Sequence, residues 1–223
     1  TLRSSDLSDT VSSDGIIILN PVEDSDEDGF DNLTEITTKS NPCNKASYPR
    51  TTTLNLKKGF NLVSFPAETI YFENMFNLLE AIGGSGIISS VLIFNPDSQT
   101  FDEVGYDQTG KFKGQNYALL SDQRLLGLII YAKKDATFTF SSVYCPTWNL
   151  QAGTNLVGIA CAQSGLTAYQ FLQAIWGETV VSSIQRYNPD TGKFDTAGYL
   201  NGTVVGVDFP IKTGEGYFIF MKK

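Results

Sequence analysis

The chain has 223 residues, 24 acidic against 16 basic side chains, no histidine and three cysteines. That length suggests one or two domains, and 41% hydrophobic with 18% charged residues reads as globular rather than disordered. Without histidine there is no Ser-His-Asp triad, no Cys-His dyad and no His-ligated zinc or haem. The acidic balance argues against nucleic-acid binding, and no apolar run reaches the ~18 residues of a membrane helix, so no membrane insertion is expected.

The charge is uneven. Residues 1–40 hold ten carboxylates and two basic side chains, whereas acids and bases balance in residues 41–223, so the whole net charge of −8 belongs to the N-terminal segment. Such a shift marks a boundary near residues 40–50, punctuated by Pro42 and Pro49. The N-terminus lacks a basic stretch leading into an apolar one, so it does not read as a signal peptide, and the chain reads as a mature product or a fragment. Residues 1–21 form an extended N-terminal segment in which Gly15–Leu19 reads as an apolar strand ending before Pro21. Such a strand can add to the sheet edge of a neighbouring copy and so build a filament, or it can pair within its own chain.

Residues 24–35, Asp-Ser-Asp-Glu-Asp-Gly-Phe-Asp-Asn-Leu-Thr-Glu, fit the twelve-residue calcium loop D-x-[DN]-x-[DN]-G-x5-E. A hard divalent cation takes about six to eight oxygens. Asp24, Asp26 and Asp28 at positions 1, 3 and 5 converge as the loop curls, and Gly29 permits its sharp turn. Phe30 offers a backbone carbonyl, Asn32 binds directly or through water, and Glu35 closes the shell. Calcium is favoured over magnesium, which demands a stricter octahedron. Only an exiting helix, from Asn32 to Lys39, is expected around this loop.

With this context, residues 22–45 resemble the thrombospondin type 3-like and dockerin-like calcium loops of bacterial secreted proteins. Cys43-Asn44-Lys45 stands where those proteins continue into a second aspartate-rich turn, so one calcium is expected and the paired repeats of a cohesin-binding dockerin are missing. The resemblance implies an extracellular setting and a structural ion.

Self-comparison gives a second signal. Leu54–Val63 aligns with Trp148–Val157, Phe76–Ile82 with Tyr169–Ile175, Ser89–Tyr106 with Ser182–Tyr199, and Gly127–Lys134 with Gly216–Lys223. Four blocks in one order mark a tandem duplication, with a calcium-binding loop and linker over 22–49 followed by repeat modules at 50–140 and 145–223. Each copy reads as a strand, a glycine turn and a second strand, one short amphipathic helix, a hairpin about Asn-Pro-Asp and an apolar final strand. The expected helix of copy two is Leu166–Trp176 with Gly177 beyond its end; Gly83-Gly84 plays that part in copy one. The fold class is therefore mainly β (α+β), two duplicated strand-rich modules each with one short helix, preceded by an EF-hand-like calcium loop. The opening Gly59-Phe60-Asn61-Leu62-Val63-Ser64-Phe65-Pro66 and the ending Gly214-Glu215-Gly216-Tyr217 resemble a repeat of bacterial and archaeal secreted and surface proteins. That repeat accompanies surface-layer proteins, adhesins and secreted hydrolases as a non-catalytic appendage.

If module two opens as a hairpin about Ala152-Gly153-Thr154, Cys145 faces Cys161 and a cross-strand disulfide is expected, with two buried thiols as the alternative and Cys43 as the odd cysteine. No catalytic residue is assigned. Asp97, Asp190, Asp102 and Asp195 recur in both copies at or beside turns, where a structural role is expected. Phe94, Phe101, Tyr106, Tyr187, Phe194 and Tyr199 flank the hairpins, either as packing or as a sugar platform. The expected protein is a non-enzymatic, calcium-stabilised, extracellular or cell-surface structural or adhesion protein. Its partners are further copies of itself, cell-surface proteins or glycans. The alternative is a carbohydrate-binding accessory module of a secreted hydrolase.

Overall fold

A computed structural model of the chain describes residues 10–11, 17–18, 21–38, 40–44, 50–65, 72–118, 127–142, 150–159, 165–175 and 177–222. The chain divides into two compact units, residues 1–51 with 141–145, and residues 52–140 with 146–223.

In the first unit, β1 (Thr10–Val11) pairs antiparallel with β2 (Ile17–Ile18), Val11 facing Ile17. The apolar run expected as a donor strand thus has one edge paired within its own chain. An acidic loop then leads into α1 (Asn32–Thr38). Asp31 starts this helix, its Oδ1 accepting the Thr34 N–H at 2.7 Å and its carbonyl the Glu35 N–H at 3.0 Å.

The second unit holds both modules. In the first lie β3 (Arg50–Leu56), β4 (Gly59–Ser64), α2 (Met75–Ala81), the single turn α3 (Gly84–Ile87), β5 (Ile88–Asn95), β6 (Thr100–Tyr106), β7 (Phe112–Lys113), β8 (Gly127–Ala132) and β9 (Ala136–Ser142). In the second lie β10 (Gly153–Gly158), α4 (Ala168–Ile175), β11 (Val181–Asn188), β12 (Lys193–Leu200), β13 (Thr203–Gly206) and β14 (Gly216–Met221). The two five-stranded sheets run β4-β8-β5-β6-β7 and β10-β14-β11-β12-β13. Equivalent strands hold equivalent places, so the sequence duplication is a duplication of topology. Every pairing within the two five-stranded sheets is antiparallel, and the fold is mainly β.

The helices are short and depend on their caps. Asn74 Oδ1 accepts the Asn77 N–H at 3.0 Å to start α2, which buries Met75, Leu78 and Leu79. A reciprocal box starts α4: Thr167 Oγ1 accepts the Gln170 N–H, and Gln170 Oε1 accepts the Thr167 N–H. The Asn-Pro-Asp hairpins turn on the asparagine. Asn95 Oδ1 accepts from the Asp97 and Ser98 N–H groups, and Asn188 Oδ1 from those of Asp190 and Thr191.

The opening glycine turn differs from the expected hairpin. β3 pairs with β9, and β4 with β8, so one long ribbon bends at Lys57-Lys58 and again at Lys133–Asp135. Asn61 locks the bend. Its Oδ1 accepts the Lys57 N–H at 2.8 Å, while its Nδ2 lies within 3.3 Å of the Lys57, Gly59 and Ile130 carbonyls. Asn155 makes the same bonds to Gln151, Gly153 and Ile219. In module one the two strands flanking Gly59 do not face each other; Cys145 and Cys161, expected to form a bridge in module two, lie outside the described residues. Asn61 is buried, so Asn61→Ala should orphan its backbone partners and cost about 2 kcal/mol, read as a lowered midpoint in urea at unchanged slope.

Each module has its own core. Leu54 and Leu56 on the folded-over ribbon, α2 and the sheet residues Val91, Val104 and Ile130 form the first. Phe171, Leu172, Ile184, Phe209, Tyr217 and Ile219 lead the second. A third cluster joins the modules: Leu62, Phe94 and Ile129 meet Leu156, Tyr187 and Phe218. These are equivalent residues of the two copies, Leu62 with Leu156, Phe94 with Tyr187 and Ile129 with Phe218. The modules therefore pack as an internal two-fold pair, the arrangement of an isologous dimer. Where backbones approach, the reciprocity continues: Gly127 lies against Leu156 and Val157, and its equivalent Gly216 against Leu62 and Val63.

Candidate metal centre

The acidic loop is folded by its own side chains. Asp24 at its start accepts the Asp28 N–H on Oδ1 at 3.1 Å and the Gly29 N–H on Oδ2 at 2.8 Å. Asp28 Oδ1 accepts the Phe30 N–H at 3.0 Å. Gly29 has φ +102°, a conformation that a side chain at position 6 would strain. The loop closes on itself through the Asn32 N–H to the Glu23 carbonyl at 2.7 Å and the Leu33 N–H to the Pro21 carbonyl at 3.0 Å.

This curl brings one carboxylate oxygen each from Asp24, Asp26 and Asp28 within 4.8 Å of one another. Both Asp26 oxygens and Asp28 Oδ2 are shielded from solvent and receive no hydrogen bond of good geometry. The Asn44 and Asp28 N–H groups approach Asp26 and oppose its charge burial only in part; shielded carboxylates this poorly satisfied are costly unless a cation meets them, so the donor set fits a hard divalent ion. The electrostatics agree. Burial, then the neighbouring charges of Asp28 and Asp24, pushes the Asp26 carboxyl above the usual range. At Asp24 burial pulls the same way but is outweighed by the Gly29 and Asp28 N–H groups, which hold it below the usual range.

Glu35 at position 12 is fully buried. Burial raises its carboxyl, followed by the charges of Asp26 and Asp28, while the Ser40 side chain hydrogen-bonds to it and opposes the shift. Helix α1 therefore delivers Glu35 into the same electrostatic field as the three aspartates. The Ser40 N–H returns to the Glu35 carbonyl at 2.9 Å, tying the segment after the helix back to it.

Asn32 at position 9 has a different setting. Its Oδ1 accepts the Ser25 N–H at 3.2 Å and its Nδ2 donates to Ser25 Oγ at 2.9 Å. In these contacts it braces the two ends of the loop, which the motif alone does not reveal. Phe30 is held by its N–H to Asp28, and its carbonyl is the position 7 group of the pattern. Glu23 precedes the twelve-residue pattern and was assigned no role, yet its Oε1 is also shielded and takes no hydrogen bond. Cys43 is exposed, its N–H donating to Asn41 Oδ1 at 3.0 Å.

Two of the recurrent aspartates of the modules have local partners. Asp195 pairs with Arg186, directly opposite on β11, at 2.9 Å, and Asp102 hydrogen-bonds to Tyr117. The hairpin aromatics contact one another. Phe94 lies against Phe101 at 5.0 Å and Tyr187 against Phe194 at 5.3 Å, each pair directly opposite across its hairpin. Tyr187 also meets Phe60 at 4.4 Å.

No protein-family model, curated protein or solved structure matches the chain. Among the described residues no helix is long and apolar enough to cross a membrane.

Proposed function

We propose that the protein is a non-enzymatic, calcium-stabilised structural or adhesion protein that works outside the cell or at its surface. The convergence of Asp24, Asp26 and Asp28, with shielded Asp26 and Asp28 oxygens that receive no hydrogen bond of good geometry, carries this reading. Asp24, Asp26, Asp28 and Glu35 would hold the ion, together with the Phe30 carbonyl, and Asn32 would keep the loop closed. The ion supplies charge neutralisation and nothing catalytic. A loop of this type fills at extracellular calcium and empties in cytosol, which supports the location. Mutual contact among the hairpin aromatics supports packing over a sugar platform, so the carbohydrate-binding reading ranks second.

Further copies of the chain are the proposed partner, joined through residues 1–20. Among the described residues β2 pairs with β1. Size-exclusion chromatography with light scattering, run in millimolar calcium and again in excess EGTA, tests both parts. Assemblies in calcium that dissociate in EGTA, and a monomer after deletion of residues 1–20, are expected. Assemblies unaffected by the deletion would sink the strand mechanism, and a calcium titration without heat would sink the metal site.

A further inference from the structure

The calcium pattern ends at Glu35, yet the chain beyond α1 turns back onto the loop. The Ser40 N–H donates to the Glu35 carbonyl at 2.9 Å, five positions back, the closure that ends many helices. Ser40 is buried by this return, and its side chain hydrogen-bonds to the Glu35 carboxylate. Asn41 then folds a tight turn. Its carbonyl accepts the Asn44 N–H at 3.0 Å, and its Oδ1 accepts the Cys43 N–H at 3.0 Å. Pro42 inside the turn is buried. The same turn presents the Asn44 N–H to the Asp26 carboxylate.

This short segment therefore reaches two of the site's carboxylates, Asp26 at position 3 and Glu35 at position 12. They come from opposite ends of the pattern, and burial works against the charge of both. Each carboxylate oxygen has two lone-pair directions, so a carboxylate can accept an N–H or O–H on one side and offer an oxygen to a cation on the other. A donor placed this way fixes where the oxygens point without taking the ion's place. The Ser40 hydroxyl and the Asn44 N–H are neutral dipoles. They steady the charge and leave it uncancelled, so the demand for a cation remains. The neighbouring Thr37 hydroxyl behaves differently: it donates to the Thr34 carbonyl at 2.9 Å, within the helix itself.

We infer that Ser40–Asn44 is a clasp belonging to the metal site, in which the Ser40 hydroxyl orients Glu35 and the Asn41–Asn44 turn steadies Asp26. The ion-binding unit then runs from Asp24 to Asn44, well past the twelve residues of the pattern. This inference rests on the calcium reading above and adds the groups that set the affinity of that site. Ser40 is a positioning residue, since it acts through Glu35. Because the clasp touches ligands from both ends of the loop, the segment after α1 responds to the ion along with the loop.

The test titrates calcium chloride into the whole, calcium-stripped chain, followed by calorimetry and by backbone amide NMR. The Ser40 and Asn44 amides are expected to shift along the same saturation curve as that of Gly29. Ser40→Ala should weaken calcium binding about 10–100-fold, the usual cost of removing a group that orients a metal-binding side chain. Ser40→Thr keeps the hydroxyl and should bind like the native chain. Ser40→Val has the shape of threonine without the hydroxyl, so it repeats the comparison at constant volume and should bind weakly. Thr37→Ala should leave the affinity unchanged, which separates this hydroxyl from hydroxyls that serve the helix. A native chain that takes up no calcium ends the calcium reading and the clasp with it. A native chain that binds calcium while the Ser40 and Asn44 amides stay still, or while Ser40→Ala and Ser40→Val bind as tightly as Ser40→Thr, overturns the clasp alone and leaves the twelve-residue site standing.

Discussion

Addition of about 10 mM calcium is expected to stabilise the acidic loop and α1 by roughly 1.4–2.7 kcal/mol, and Asp26→Asn is expected to erase that gain. The range follows from mass action with a dissociation constant of about 10⁻⁴–10⁻³ M, the ordinary span for extracellular calcium modules. Asp26 is the informative position because both its oxygens are shielded and neither takes a hydrogen bond of good geometry. The substitution should also reverse sign with conditions. In EGTA it removes a charge repelled by Asp24 and Asp28, so the variant should be more stable than the native chain; in calcium it should be less stable. Calorimetric melts of both proteins in both conditions check this, with hydrogen exchange over Asn32–Thr38 reporting the local effect. A variant that loses stability equally with and without calcium would mean that the three aspartates serve the fold and not an ion.

Gly158→Ala should destabilise the paired modules by about 3 kcal/mol, at the upper end of ordinary overpacking. A Cβ there would coincide with Ser64 Cβ, in a contact between two strands that has no flexible side chain to yield. The partner substitution tests the geometry. Ser64→Gly combined with Gly158→Ser reverses the arrangement across the internal two-fold and should fold within about 1 kcal/mol of the native chain, a coupling that a double-mutant cycle in urea measures directly. Ser64→Ala alone should be neutral or slightly stabilising, because Ser64 Oγ is buried with no hydrogen-bond partner.

The sequence was most legible where chemistry fixes spacing. The twelve-residue calcium pattern predicted the convergence of Asp24, Asp26 and Asp28, the left-handed glycine and the exiting helix, since each follows from what a small loop must do to gather oxygens. The duplication was legible because two copies of one sequence build two copies of one sheet. It failed at the first glycine turn. Gly59 looks like a hairpin glycine, but the signal that decides is Asn61, whose amide holds the chain in a bend and reaches a partner strand 69 positions away. No local pattern carries that pairing. Asn32 was legible only in part: an amide can ligate a cation and also brace a backbone, and the motif does not reveal the Ser25 contacts. The joining of the two modules was not legible at all, because Leu62, Phe94 and Ile129 look like ordinary core residues of their own copy.

Ser64 and Gly158 occupy equivalent places in the two copies and face each other across the internal axis. In a dimer of identical chains, a residue on the axis meets itself, so the pair would have to be two glycines or two serines, and two serines would collide. A single chain carrying both halves is free of that constraint. Fusion removes the dependence of association on concentration, and it also lets each side of the axis change alone. The serine opposite the glycine is a combination that a dimer of identical chains cannot hold.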